Sequence, residues 1–523
     1  MTTSGLRAVR FAILFCSFSS PAAAQVISIK TVPIAQGDQF QIFPSNNLGM
    51  GGVSIALPDS LQDPFVNPAK GARLGGRGGR FFSAPTVYSV SRRTGGGRSL
   101  PLAALARTGS WYGGLALALQ QVDPSRPPFD GGFIAVDQPI ALLPPSPPNL
   151  PIPAPDDKAH GNEYVFAMAG KALPAGRLSV GASVLWAGLH AVDGVDLLYA
   201  GSRRVAQSGH SLDVRLGLLK EWAGTEGADG KEGAGRSLEA LLLHNRFAAR
   251  HDVTFVELFW DPITQQTGQR ARLEENFDYT NTWGLHLEYE VPLSADGWRI
   301  GWLATANRMS HPKIPTYELA AVPAIPRDPG RSAAFNLGMG VSKVRGPATF
   351  AVEAIFEPIR SYTWADAATP VVTVVGDTIA AGGKTVENRF RFRNALFRMG
   401  ASQEWDLRGV GKTAGVQFGL IVRSVRYRLA QTDNVQLLSR SFETGWLEWT
   451  PTWGLSLRFP ELEIRYRGRV THGAGRPGVQ FPVSWARGFA LAGNSILAAP
   501  TGPLVLTDVN TTTHQISLSL PLR

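Results

Sequence analysis

Apolar and polar residues alternate one for one along most of this chain. Leu178, Val180, Ala182, Val184 and Trp186 share one phase against Ser179, Gly181 and Ser183, the period of two that a β-strand with one apolar face imposes. Leu212, Val214, Leu216 and Leu218 oppose Asp213, Arg215 and Gly217, and Trp283, Leu285, Leu287, Tyr289 and Val291 oppose Gly284, His286, Glu288 and Glu290. Phe335, Leu337, Met339 and Val341 oppose Asn336, Gly338, Gly340 and Ser342; Leu462, Ile464, Tyr466 and Val470 oppose Glu463, Arg465, Arg467 and Arg469. The chain ends in phase, with Ile516, Leu518, Leu520 and Leu522 against Gln515, Ser517 and Ser519. The pattern predicts strands at 80–92, 100–107, 111–122, 163–172, 177–189, 210–222, 236–246, 276–291, 298–307, 332–344, 348–359, 389–406, 413–428, 443–459, 462–471 and 514–522. Phase slips within 389–406 and near Arg423–Val425 predict a β-bulge or a strand projecting beyond the membrane.

Alternation alone suits a soluble sandwich as well as a membrane barrel. The connections separate the two. Tight links at 173–176, 292–297, 345–347, 407–412 and 460–461 alternate with long ones at 123–161, 190–209, 247–275, 308–331, 360–388 and 472–513. Short turns on one side and long loops on the other mark an outer-membrane barrel. Trp111, Trp186, Trp222, Trp283, Trp298, Trp405 and Trp446 fall at or near expected strand ends, where amphipathic rings favour the lipid interface. The fold predicted is all-β, a transmembrane antiparallel barrel of 14 to 16 strands spanning 80–523, its inward faces polar.

Composition agrees with that reading. Gly (57) and Pro (37) punctuate the chain and only 18% of residues are charged, which excludes a disordered or collagen-like polymer. After the leader no run of 18 apolar residues occurs, so a transmembrane helix is unsupported. Residues 1–24 read as a secretory signal, with Arg7 and Arg10 before an apolar core and Pro21-Ala22-Ala23-Ala24 at the cleavage site. The only cysteine, Cys16, lies in this leader, which excludes disulfides and thiolate metal sites from the mature chain. Loss of Arg7 and Arg10 lowers the formal charge from +10 to +8. That excess suits loose contact with anionic outer-membrane lipid or lipopolysaccharide; nothing in it points to nucleic acid. The stretch 123–161 holds eleven prolines and is expected to be extended, as a lid or a spacer.

Between leader and barrel, 25–79 forms an expected N-terminal plug. Its core, Asn47 to Gly79, is rich in glycine and nearly free of helix signals, as a tethered insert of small cross-section requires. Gly49, Gly51 and Gly52 permit positive φ and close approach. Pro68 excludes the helical region for Asn67, whose side chain is suited to bonding its own backbone in a turn.

Catalytic motifs fail one by one. The Gly-Lys-Thr tripeptides at 383–385 and 411–413 lack the earlier glycine of a phosphate loop, with Thr378 and Asp406 in its place. Gly49-Met50-Gly51 meets Ser54 where a dinucleotide fingerprint wants glycine. No H-E-x-x-H or G-x-S-x-G occurs, and any metal site would have to be assembled from separate strands. His286 beside inward Glu288 and Glu290 is the one cluster suited to acid/base work, yet inward polar residues occur on every barrel strand. The chain reads as a non-enzyme with no catalytic residue, cofactor or metal.

The segment Leu48-Gly49-Met50-Gly51-Gly52, with Ala56, Asp59 and Asn67-Pro68-Ala69 following, resembles the N-terminal region of the FadL-like outer-membrane transporters of long-chain fatty acids and other hydrophobic compounds. The resemblance covers about 23 residues. It implies passive uptake of a hydrophobic ligand by a monomer and sideways release through the wall when a hatch shifts. It places Asn67, Pro68 and Ala69 in that hatch, with Gly49, Gly51 and Gly52 easing its passage along the wall. The family's barrel has fourteen strands, whereas three strands are expected here after residue 442 instead of one. The chain ends in Leu522-Arg523, where many outer-membrane barrels end in an aromatic residue. A second function stays open: a structural or assembly barrel whose long loops bind a protein partner. Inward arginines suit a ligand carboxylate, or else the hatch's own Asp59 and Asp63.

Overall fold

The computed structural model describes residues 39–40, 42–74, 78–91, 95–124, 134–135, 152–154, 158–193, 195, 202–223, 235–261, 265–294, 296–312, 324–326, 329–367, 369–407, 412–477 and 506–522. The leader and most of the proline-rich stretch lie outside them.

Sixteen long strands close into one antiparallel barrel. They are β1 (Gly78–Ser83, resuming as Thr86–Val90 past Pro85), β2 (Gly96–Thr108), β3 (Trp111–Asp123), β4 (His160–Leu173), β5 (Leu178–Leu189), β6 (Arg204–Glu221), β7 (Ser237–Asp261) and β8 (Gln266–Pro292). The second half comprises β9 (Trp298–His311), β10 (Gly330–Arg345), β11 (Ala348–Asp366), β12 (Lys384–Asp406), β13 (Thr413–Asp433), β14 (Leu438–Arg458), β15 (Glu463–Pro477) and β16 (Leu506–Leu522). Each expected strand has its counterpart. Closure runs from Gly79 opposite Leu522 to Ser83 opposite Leu518, so all three strands expected after residue 442 are present.

Exposure is inverted relative to a soluble protein. Leu115, Leu119 and Phe418 are about two-thirds exposed, while Asn336 and Glu357 are fully buried. Apolar residues outside and polar residues inside, on a sheet with no free edge, satisfy every constraint of a membrane-spanning barrel. No helix among the described residues is long and apolar enough to cross a membrane.

Several expectations need correction. Most of the loop predicted at 247–275 is strand, 247–261 and 266–275, because β7 and β8 pair from Ser237–Glu290 out to Asp261–Gln266. Apolar residues continue into this extension, where Val253 and Phe255 pack on Val205. Part of 360–388 is likewise strand, β11 running to Asp366 and β12 starting at Lys384. Trp446 is no interface anchor: it lies inside β14 and packs on a buried cluster of Val425, Tyr427 and Phe392. The same cluster explains the phase slip at 389–406. Phe392 and Leu396 are buried while Phe397 is exposed, so apolar residues occupy both faces and the register around them stays constant. The slip marks an apolar patch on the lumen wall rather than a bulge.

Candidate functional site

The short turns lie at one end of the barrel, and residues 44–74 fill the lumen near that end. Turn chemistry shapes this insert as its sequence requires. Gly51 and Gly52 take φ of 76° and 65°. Asn67 is extended at φ −122°, and its side chain accepts from the Ala69 amide at 3.1 Å, so Pro68 opens a short 3₁₀ turn over Pro68–Arg73. Asp59 accepts from the amides of Leu61 and Gln62 at 3.0 and 3.2 Å, and Asp63 faces Lys70 at 3.7 Å. The hatch therefore satisfies its own acids. Lumen arginines take its carbonyls instead, Arg215 donating to Phe65 and Val66 at 3.0 Å and Arg398 to Gly52.

Three groups of wall residues hold the insert. The Thr452 hydroxyl donates to the Gly49 carbonyl at 2.9 Å and accepts from the Gly51 amide at 2.9 Å. Glu353 accepts from the amides of Ser54 and Ile55, both at 2.8 Å, and Ser342 donates to the Ala56 carbonyl at 2.5 Å. On the far wall one Glu239 oxygen accepts from Asn67 Nδ2 at 3.2 Å and pairs with Lys70 Nζ at 3.0 Å. Burial disfavours the Lys70 charge, but Asp63 and Glu239 outweigh that effect and hold the ammonium above its usual range. Burial pushes the Asp63 carboxyl up to about 6, against the pull of Lys70. Among the described residues no backbone–backbone hydrogen bond joins residues 44–74 to the wall. The insert is held by side chains of the wall rather than as a strand of the sheet.

The wall is recessed to receive it. A side chain on Gly217 would meet Asn67 Oδ1 at 2.0 Å, and one on Gly181 would meet Pro68 at 2.7 Å. Gly301 and Gly340 leave room for Ile55 and Ala56; Gly400 and Gly419 for Met50 and Gly51; Gly454 for Gly49. Lumen-facing glycines thus form a seat along both halves of the barrel. All six sequence-assigned hatch residues lie in this layer: Gly49, Gly51 and Gly52 against β12 to β14, and Asn67, Pro68 and Ala69 against β5 to β7. Sequence reasoning missed their partners Glu239, Glu353, Thr452, Ser342 and Arg215. A signal existed, because glycine inside a strand marks close approach of another backbone.

Above the hatch, toward the long loops, two features line the lumen. Ala334, Ile359, Phe392, Val425, Tyr427 and Leu429 form a buried apolar cluster on β10 to β13. Opposite, Gln39 is held by Gln120, Ala191 and Asp193, which sets the described start of the chain high in the lumen and not at the short-turn end. The acid/base cluster divides: His286 meets Glu239 at 3.2 Å and Glu288 at 3.8 Å, while Glu290 pairs with Arg299 at 2.7 Å. His286, Glu239 and Glu288 are sealed from solvent beside Lys70.

No family model and no curated protein matches the sequence. Solved structures share its general form. A Pseudomonas aeruginosa FadL homologue is 11% identical over 92% of this chain and 98% of that chain, with a TM-score of 0.42. The Ralstonia pickettii toluene transporter TbuX is 10% identical over 91% and 97%, TM-score 0.35. The Pseudomonas putida toluene transporter TodX is 10% identical over 95% and 100%, TM-score 0.29. Likeness at these values speaks to neither substrate nor mechanism.

Proposed function

We propose that this chain is a passive outer-membrane channel for hydrophobic small molecules, long-chain fatty acids among them, with residues 47–79 as its hatch. The observation that carries the reading is the attachment of the insert by side-chain contacts to a glycine-lined seat, beneath an apolar patch on the lumen wall. An apolar molecule entering from the long-loop side leaves water for the Phe392–Tyr427–Leu429 patch, and this partition supplies the driving force without cofactor or covalent chemistry. Passage beyond the patch then requires the Glu239, Glu353 and Thr452 contacts to yield. Asn67, Pro68 and Ala69 act as the gating turn, while Gly49, Gly51 and Gly52 let the opposite limb lie flat on the wall. Such a channel works as a monomer, since the plug and its seat belong to one chain, and its belt of apolar side chains contacts outer-membrane lipid.

Two measurements test the reading together. Detergent-purified protein is expected to release a bound fatty acid or other lipid, detected by mass spectrometry, and Phe392→Asp is expected to lower the amount retained at least tenfold. Deletion of 47–79 is expected to raise solute leakage from liposomes carrying the barrel. Protein free of lipid combined with an unchanged leak would overturn the proposal; stoichiometric recovery of a protein bound to the long loops would favour the docking function instead.

A further inference from the structure

We propose that Glu239, His286 and Glu288 form a binding site for a divalent transition-metal ion, and that its occupancy opposes seating of the hatch. Glu239 on β7 and Glu288 on β8 are direct cross-strand partners on the lumen face, and His286 lies two residues along β8 on the same face. One ligand atom from each falls within 4.8 Å of the others. Three atoms bound to one ion at roughly 2.0–2.2 Å lie about 3–3.5 Å apart, so small side-chain adjustments suffice. Imidazole with two carboxylates is a donor set suited to zinc and its neighbours.

Two further observations fit a bound cation. His286 Nδ1 is engaged by the Thr305 hydroxyl at 2.8 Å, which turns Nε2 toward the carboxylates as an outer partner does for a metal-binding imidazole. Glu288 Oε1 is buried with no hydrogen-bond partner. Around it, Glu239 faces both the Lys70 ammonium and the His286 imidazole, at 3.0 and 3.2 Å.

The link to the hatch runs through the two oxygens of Glu239. Oε1 faces His286 at 3.2 Å, while Oε2 receives Lys70 at 3.0 Å and Asn67 at 3.2 Å. A metal on Oε1 draws charge from the carboxylate and places like charge across it from the Lys70 ammonium, in a buried site where screening is weak. Metal and hatch then bind with opposed preferences. The coupling is reciprocal, so weakening the hatch contact tightens the metal.

The test titrates ZnCl2 into the untagged full chain in detergent by calorimetry. One site per chain is expected. Lys70→Met is expected to bind at least tenfold more tightly and His286→Asn at least a hundredfold more weakly, each variant first checked for the heat-dependent gel mobility of a folded barrel. In the wild type, which needs no variant to fold, zinc is expected to speed proteolysis within 47–79. Absence of a stoichiometric site, binding indifferent to His286→Asn, weaker binding by Lys70→Met, or zinc that protects the hatch would each overturn the proposal. None of these outcomes depends on what crosses the barrel, so the proposed function stands or falls separately.

Discussion

Glu239→Ala is expected to unseat the hatch while leaving the barrel closed. One carboxylate holds Asn67 Nδ2, Lys70 Nζ and His286 Nε2 at 3.0 to 3.2 Å, and its removal leaves the buried ammonium with the longer 3.7 Å contact to Asp63. Breaking a buried charge pair from one side costs about 3–5 kcal/mol, or roughly two to three and a half powers of ten in the seated-to-unseated ratio. The expected readout is frequent opening in planar bilayers where the wild type is nearly silent, with faster proteolysis within 47–79. Glu239→Gln keeps an oxygen for Asn67 and loses the charge, so its effect is expected to lie between the two. An Ala variant as quiet as wild type, with folded-barrel gel mobility, would show that this contact does not hold the hatch.

Gly217→Ala is expected to act on the same turn from the other side. Its new carbon would lie 2.0 Å from Asn67 Oδ1 and 3.0 Å from the Ala69 amide. The Asn67-Pro68-Ala69 turn has little freedom to yield, since Pro68 fixes its φ and Asn67 is already bonded to its own backbone. The turn must back away from the wall and lose the Glu239 contact. Overpacking of this kind costs about 1–3 kcal/mol. Gly161→Ala is the control, its carbon meeting nothing closer than 3.8 Å. Because both changes disrupt one contact, the double variant Gly217→Ala/Glu239→Ala is expected to leak no more than the worse single. Additive leakage would place the two residues in independent contacts.

How much of this was legible in the chain depends on the kind of fact. The outward phase of Leu212, Leu285 and Ile516 and the inward phase of Arg215, His286 and Gln515 were readable, because a strand's two faces repeat every second residue whatever lies beyond them. Strand extent was less so. Residues 247–275 keep no long run of alternation and passed for a loop, and pairing between β7 and β8 made 247–261 and 266–275 sheet. Trp446 misled because its residue type suits the lipid interface, while its position on a long strand turned it onto Tyr427 and Phe392. The apolar lumen patch disrupted the alternation at 389–406, and a disrupted alternation alone does not distinguish a bulge from a two-sided apolar strand.

The sequence by itself determined the barrel, a strand number between 14 and 16, and the local form of the insert, since period, turn residues and the constraint of Pro68 on Asn67 act over a few residues; closure of the sheet decided for sixteen. Only the tertiary structure decided what the hatch touches. Asn67 meets Glu239 across 172 positions, Ile55 meets Glu353 across 298, and Thr452 meets Gly49 across 403. A period of two tells which face a side chain is on and nothing about which residue arrives there, for that follows from closure of the barrel and from where the insert comes to rest inside it.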